Sequence, residues 1–152
     1  RSSEFIYDFW RPSNEVAARV DGALSIQAYL NSCVRCYKKW VDKNHSTLSA
    51  ICYHTPFPKM ALKAHQALSA VSPSLLKILP QVEHSVRFAQ RVGNSYTASL
   101  YMALLSLLFH DNSQTIGNQI GFFAYGSGCS AQFFTGQLGA LYKKNILISQ
   151  SL

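Results

Sequence analysis

The sequence has 152 residues, the length of one ordinary domain or of a piece of a larger one. Its composition is globular, with 48% hydrophobic and 12% aromatic residues. The 14 Lys and Arg against 7 Asp and Glu give a net charge of +7, which favours an anionic partner. The basic residues are scattered singly or in pairs, which argues against nucleic acid and leaves a phosphate-bearing small molecule or an acidic carrier protein.

The sequence also argues against a secreted, membrane or metal-binding protein. No signal peptide is visible, and the longest apolar run is far below the roughly 18 residues that a membrane span needs. Cys33 and Cys36 form a C-x-x-C without a second pair or a histidine at zinc spacing, so no metal site is expected. Both lie in a helical pattern, with Cys33 in the core and Cys36 on its flank. We expect reduced thiols in a cytoplasmic protein.

In chain order, the first elements are an irregular segment, a helix, a strand and a second helix. The irregular segment ends in a turn at Asp21-Gly22. Apolar residues at three- and four-residue steps predict a helix from about 25 to 42. A short buried run, 50–53, then predicts a strand that ends at His54. Pro56 ends its ladder, and Pro58 suits the first turn of a helix that continues to Val71.

The second half of the sequence predicts more helices followed by two strands. Pro73 opens a short helix, and another covers about 82 to 91. Asn94 is the expected N-cap of a helix that is apolar on nearly every side and should therefore be buried all round. Two strand-like runs follow, joined at the glycine-flanked Ser127. This order suggests an α/β layered domain that needs further partners to cover its core.

Three polar side chains stand at comparable places, each at an element end beside apolar structure. His54 follows a strand in a turn, Asn94 precedes a buried helix, and Ser127 occupies a tight turn. Each has an ordinary structural explanation: a hydrogen-bonded histidine, a helix cap and a turn serine. Together they could line one pocket as hydrogen-bond donors to a carbonyl or an oxyanion. Lys59 and Lys63 share one helix face, which is either solvated or suited to phosphates.

Five motifs, in order, resemble 3-hydroxy-3-methylglutaryl-CoA (HMG-CoA) synthases of the thiolase superfamily: YDFWRP, VDGALSIQAYL, YHTPFPKM, RVGNSYTASLY and IGFFAYGSG. The resemblance spans roughly residues 7 to 136. It implies a thiolase-like layered αβα fold, partial, with residues 1–152 as a single partial domain. It also implies an aldol-type condensation of acetyl-CoA with acetoacetyl-CoA in the mevalonate (isoprenoid) pathway. A homodimer is implied, with coenzyme A thioesters as substrates and no cofactor.

The resemblance assigns roles to the candidate residues. His54 matches the histidine that hydrogen-bonds the acetoacetyl carbonyl, and Asn94 matches an asparagine that contacts the acetoacetyl group. Ser127 matches the serine whose backbone N–H helps to form the oxyanion hole. Asp8 matches an aspartate that supports the acetyl-transfer site. The matches also include two coenzyme A contacts, Lys59 and Lys63.

The family's nucleophilic cysteine and catalytic glutamate have no counterpart in the sequence. We therefore expect an internal fragment or one part of a split protein, inactive alone, with Cys129 an unsuitable substitute nucleophile. One alternative is the polyketide-associated form, which acts on chains tethered to an acyl carrier protein. Another is a non-catalytic binding or assembly fragment.

Overall fold

A computed structural model gives the fold of residues 1–44 and 46–142. Its strands are β1 (Ser2–Ser3), β2 (Phe9–Trp10), β3 (Arg19–Val20), β4 (Ala50–Tyr53), β5 (Gln119–Gly126) and β6 (Ser130–Gln137). Its helices are α1 (Gly22–Val41), α2 (Pro58–Val71), α3 (Leu79–Ser85), α4 (Ala89–Val92) and α5 (Ala98–His110), with a 3-10 helix at Pro73–Ile78.

Four of the strands form one mixed sheet in the order β1-β6-β5-β4. β4 runs parallel to β5, with Tyr53 opposite Phe123, and β5 forms an antiparallel hairpin with β6. The predicted strand and the two predicted strand-like runs are therefore confirmed. β2 and β3 pair separately as a two-stranded ribbon, within a segment that was expected to be irregular.

The sheet lies between two helical layers, because alternate residues of a strand point to opposite faces. Ile51 and Tyr53 of β4 belong to a core cluster that contains residues of α1, α2 and α3. Ala50 and Cys52 belong to a second cluster, which α5 covers. All four β4 residues are buried. This arrangement confirms the layered αβα architecture.

Capping explains how the helix bounds compare with the predictions. α2 has the predicted bounds, because Pro58 has the fixed φ that suits a first turn. α1 starts three residues early, since the Asp21 carboxylate accepts from the Leu24 N–H at 2.9 Å. The expected Asp-Gly turn is thus a helix cap. The single helix predicted at 82–91 is wrong, because α3 and α4 are separated there by a tight turn.

Two burial predictions were also wrong. α5 is not buried all round: Tyr101, Leu105 and Phe109 form an exposed stripe, because only the opposite face packs on the sheet. Cys36 is buried like Cys33 rather than placed on the flank, since α1 is covered on that side as well. All four cysteines are buried free thiols. Within the described residues, no helix is long and apolar enough to cross a membrane.

Candidate active site

A pocket of about 570 Å³ lies where the parallel strands β4 and β5 end. Its walls come from residues of five chain segments: Phe9, Val20, Gly22, Ser25, Ile26, Tyr29, His54, Pro56, Phe57, Met60, Asn94, Tyr96, Thr97, Tyr125, Gly126 and Ser127. Carboxyl ends of strands are the usual ligand sites of open α/β sheets. The structure therefore brings together three predicted site residues that are far apart in sequence: His54, Asn94 and Ser127.

The backbone of His54 is fixed from two sides. Its N–H donates to the Phe123 carbonyl at 2.8 Å, which continues the sheet by one residue. Its carbonyl accepts from the Tyr29 hydroxyl at 2.5 Å. The imidazole Nδ1 lies 3.0 Å from the Ser99 hydroxyl. Burial lowers the pKa of His54, so the ring is neutral near pH 7.

Asn94 lies at the pocket but does not cap α5. The helix begins four residues later, with Thr97 at the cap position. The Asn94 Oδ1 instead accepts from the Tyr96 N–H at 2.8 Å, a side-chain turn that asparagine forms readily. Tyr96 has a φ of 51°, so the chain changes direction here and the helix cannot start at Asn94. Because Oδ1 is used in the turn, the Nδ2 amide remains as the donor for a ligand.

Ser127 lies at the exposed tip of the β5–β6 hairpin, where its backbone N–H makes no hydrogen bond within the described residues. The next residue, Gly128, has a φ of 113°, which favours glycine. Asp8 supports this turn without lining the pocket. It is fully buried, and its Oδ1 accepts from the Gly128 N–H at 3.2 Å. Asp8 Oδ2 makes no hydrogen bond in the described part of the chain.

Lys59 and Lys63 lie outside the pocket. Both are exposed on α2, one turn apart, so they share a solvent-facing surface. The helix itself reaches the pocket, because Phe57 and Met60 form part of its wall. The structure thus places the two cations on the helix that borders the site, rather than among its lining residues.

Several lining residues were missed by the sequence analysis. Tyr29 and Tyr125 border the pocket, and burial raises the pKa of both phenols, which remain protonated donors. Phe9 and Val20 supply an apolar wall from the β2–β3 ribbon. The sequence did contain a sign that Tyr125 would border the pocket, because it directly precedes the Gly-Ser-Gly turn. Tyr29 looked like any apolar residue of the helical pattern.

The fold and the pocket define a class: a thiolase-like layered α/β protein with a donor-lined cleft at the strand ends. The structure aligns over 98% of its length, with a TM-score of 0.80 and 33% identity, to "MvaS in complex with 3-hydroxy-3-methylglutaryl coenzyme A". The family model "Hydroxymethylglutaryl-coenzyme A synthase C terminal" matches residues 67–148. The chain belongs to this family.

Curated relatives agree with this assignment. The hydroxymethylglutaryl-CoA synthase of Enterococcus faecalis is 41% identical over 148 residues, which cover 93% of this chain and 38% of the relative. The polyketide biosynthesis 3-hydroxy-3-methylglutaryl-ACP synthase PksG of Bacillus subtilis (strain 168) is 31% identical over 86% of this chain and 33% of its own length. The chain thus spans about two fifths or less of the length of these two relatives.

Proposed function

We propose that this chain forms the acetoacetyl-CoA-binding part of an HMG-CoA synthase, which condenses acetyl-CoA with acetoacetyl-CoA. One observation carries the proposal. Side chains or backbone groups of His54, Asn94 and Ser127, from three separate segments, line one pocket. Each has a donor group left over after its internal hydrogen bonds. Such a cluster suits a substrate whose oxygens gain negative charge during the reaction.

The residues fit the chemistry of the condensation step. The acetyl methyl carbon, as a carbanion, forms a bond to C3 of acetoacetyl-CoA, and the carbonyl π electrons move onto the C3 oxygen. A donor placed at that oxygen stabilises the alkoxide, and His54 takes this role. Asn94 Nδ2 orients the acetoacetyl group, and the Ser127 N–H faces a thioester oxygen. By the resemblance, the acylated cysteine and the enolising glutamate belong to a part of the enzyme that has no counterpart in this sequence.

Asp8 supports the site through the hairpin turn. Its hydrogen bond to the Gly128 N–H restrains the peptide unit that follows Ser127, so the carboxylate stabilises the turn that carries the Ser127 N–H. We assign Asp8 to positioning on this geometry, because it does not line the pocket.

A chimera tests the catalytic part of the proposal: this chain replaces the matching segment of the Enterococcus faecalis synthase. His54→Ala should lower the condensation rate by about a hundredfold, the usual cost of one lost oxyanion donor. Acetylation of the nucleophile by acetyl-CoA should be unchanged, because His54 acts on the second substrate. Equal losses in both steps would contradict the assigned role.

A second candidate substrate is an acyl chain on a carrier protein, favoured by the 31% identity to the ACP synthase from Bacillus subtilis. Lys59 and Lys63 help to separate the candidates, because a charge-assisted contact to a coenzyme A phosphate contributes about 1.5–3 kcal/mol. Replacing both with Gln in the chimera should raise KM for acetoacetyl-CoA by about ten- to a hundredfold and weaken its salt dependence. Turnover at saturation should change little.

The matched control replaces Lys38 and Lys39, an equally exposed pair on α1, with Gln. It removes the same charge from a different helix, at residues that do not line the pocket, and should leave KM unchanged. If both double variants behave like wild type, Lys59 and Lys63 are solubilising residues. Comparing acetoacetyl-CoA with an acetoacetyl carrier protein as substrate then decides between the two candidates.

A further inference from the structure

Ser99 links the start of α5 to the end of β4. The side chain is 2% exposed, in the first turn of the helix. Its Oγ lies 3.1 Å from the Thr55 backbone N and 3.0 Å from His54 Nδ1. One buried hydroxyl therefore contacts both the backbone after β4 and the imidazole of the pocket.

The proton on this hydroxyl has one place to go. A backbone N–H can only donate, so Ser99 Oγ accepts from Thr55. Within residues 1–44 and 46–142, the hydroxyl makes only one hydrogen bond besides this one, to His54 Nδ1. Because a buried hydroxyl proton without an acceptor is costly, Ser99 donates to Nδ1, which then carries a lone pair. A neutral imidazole with a bare Nδ1 has its proton on Nε2.

We propose that Ser99 is a positioning residue that holds His54 in the Nε2–H tautomer, so that the pocket receives a donor rather than a lone pair. The effect of the tautomer on the reaction rests on the proposed function, because an Nε2 lone pair would repel the carbonyl oxygen of the substrate. Nε2 makes no hydrogen bond in the described residues and remains free for a ligand. The lowered pKa of His54 keeps the ring in the neutral form, in which the tautomer matters.

Ser106 offers a matched control on the same helix. It is fully buried, and like Ser99 it accepts from a backbone N–H, that of Phe88, at 3.2 Å. Its own proton goes to the His84 carbonyl at 2.6 Å. Its Oγ also lies 3.5 Å from His110 Nδ1, so His65 is the internal reference in the Ser106 variant. Ser106→Ala therefore removes the same kind of buried hydrogen bonds but leaves the His54 ring untouched.

The tautomer is measured directly by long-range ¹H–¹⁵N NMR on the full chain at neutral pH. Two histidines serve as internal references. His65 Nε2 lies 3.0 Å from the Leu75 carbonyl and must carry its proton there. His110 Nδ1 lies 2.8 Å from the Ser106 carbonyl and is the protonated nitrogen of that ring. Wild-type His54 should show the pattern of His65.

In Ser99→Ala, the ratio of Nε2–H to Nδ1–H at His54 should fall about three- to tenfold, the effect of one hydrogen bond. Ser106→Ala should leave that ratio unchanged. A wild-type His54 with the pattern of His110 would overturn the inference, and this needs no variant to fold. An unchanged ratio in Ser99→Ala would overturn it as well.

The chimera separates this inference from the proposed function. There, Ser99→Ala should slow condensation about tenfold or less, without affecting acetylation. If the tautomer result holds but His54→Ala condenses at the wild-type rate, the proposed function fails and the positioning role of Ser99 stands. If His54→Ala behaves as expected but the tautomer result fails, only the role of Ser99 is wrong.

Discussion

Tyr53→Phe removes one hydroxyl oxygen from the main hydrophobic core. The Tyr53 side chain is fully buried, and its hydroxyl lies 3.0 Å from His65 Nδ1. Because His65 Nε2 donates to the Leu75 carbonyl, Nδ1 is a bare acceptor that requires the Tyr53 proton. The variant leaves this acceptor buried without a partner, which costs about 1–3 kcal/mol of unfolding free energy.

Tyr37→Phe is the matched control, since it removes the same atom from a tyrosine of the same core. Its hydroxyl lies 3.3 Å from the Ser72 Oγ in a partly buried position, where water can replace it. We expect a loss below about 1 kcal/mol. Urea unfolding followed by circular dichroism measures both variants. Equal losses of unfolding free energy in the two variants, or no loss in Tyr53→Phe, would refute the conclusion that His65 Nδ1 needs the Tyr53 hydroxyl as its donor.

Three further predictions concern stability and reactivity. Burial lowers the folded-state pKa of His54 and His65 below the ordinary value of about 6.5, so the unfolded chain takes up protons first as the pH falls. The free energy of unfolding should therefore fall as pH drops through that value, by at most about 1.4 kcal/mol per pH unit for each histidine. A urea midpoint that stays flat from pH 7.5 to 5.5 would argue against this prediction. Gly121→Ala should lower the free energy of unfolding by about 1–3 kcal/mol in the same urea assay, because the new Cβ would lie 2.8 Å from Phe133 Cζ. An unchanged midpoint would show that the Phe133 ring can move aside without cost. The purified chain should retain no acetate from radiolabelled acetyl-CoA, because all four cysteines are buried; a stoichiometric thioester on Cys129 would contradict this.

Local chemistry explains which elements could be predicted from the sequence. Pro58 determined the start of α2, and the continuous apolar run 50–53 marked β4, since few alternatives fit either pattern. The start of α1 was misjudged because Asp21-Gly22 serves equally well as a turn or as a cap followed by a first helical residue. The burial of α5 was overestimated because hydrophobicity alone does not reveal which stripe faces the sheet.

The pocket residues divide in the same way. His54, Asn94 and Ser127 were predicted because a polar residue at an element end stands out against apolar neighbours. Ser99 was missed because a serine inside a helical pattern carries no local sign of a partner 45 positions away. Tyr96 was missed for a related reason: its left-handed φ follows from the Asn94 turn, not from its own side chain.

The β2–β3 ribbon has a consequence for how the pocket can change over evolution. Its Phe9 and Val20 side chains are 56% and 62% exposed while they also border the cavity, and the ribbon lies outside the main sheet. His54, by contrast, is tied to β5 and to α1 by its own backbone. Substitutions on the ribbon can therefore reshape this side of the cavity at little cost in stability. The shape of the cavity can drift while the position of His54 stays fixed.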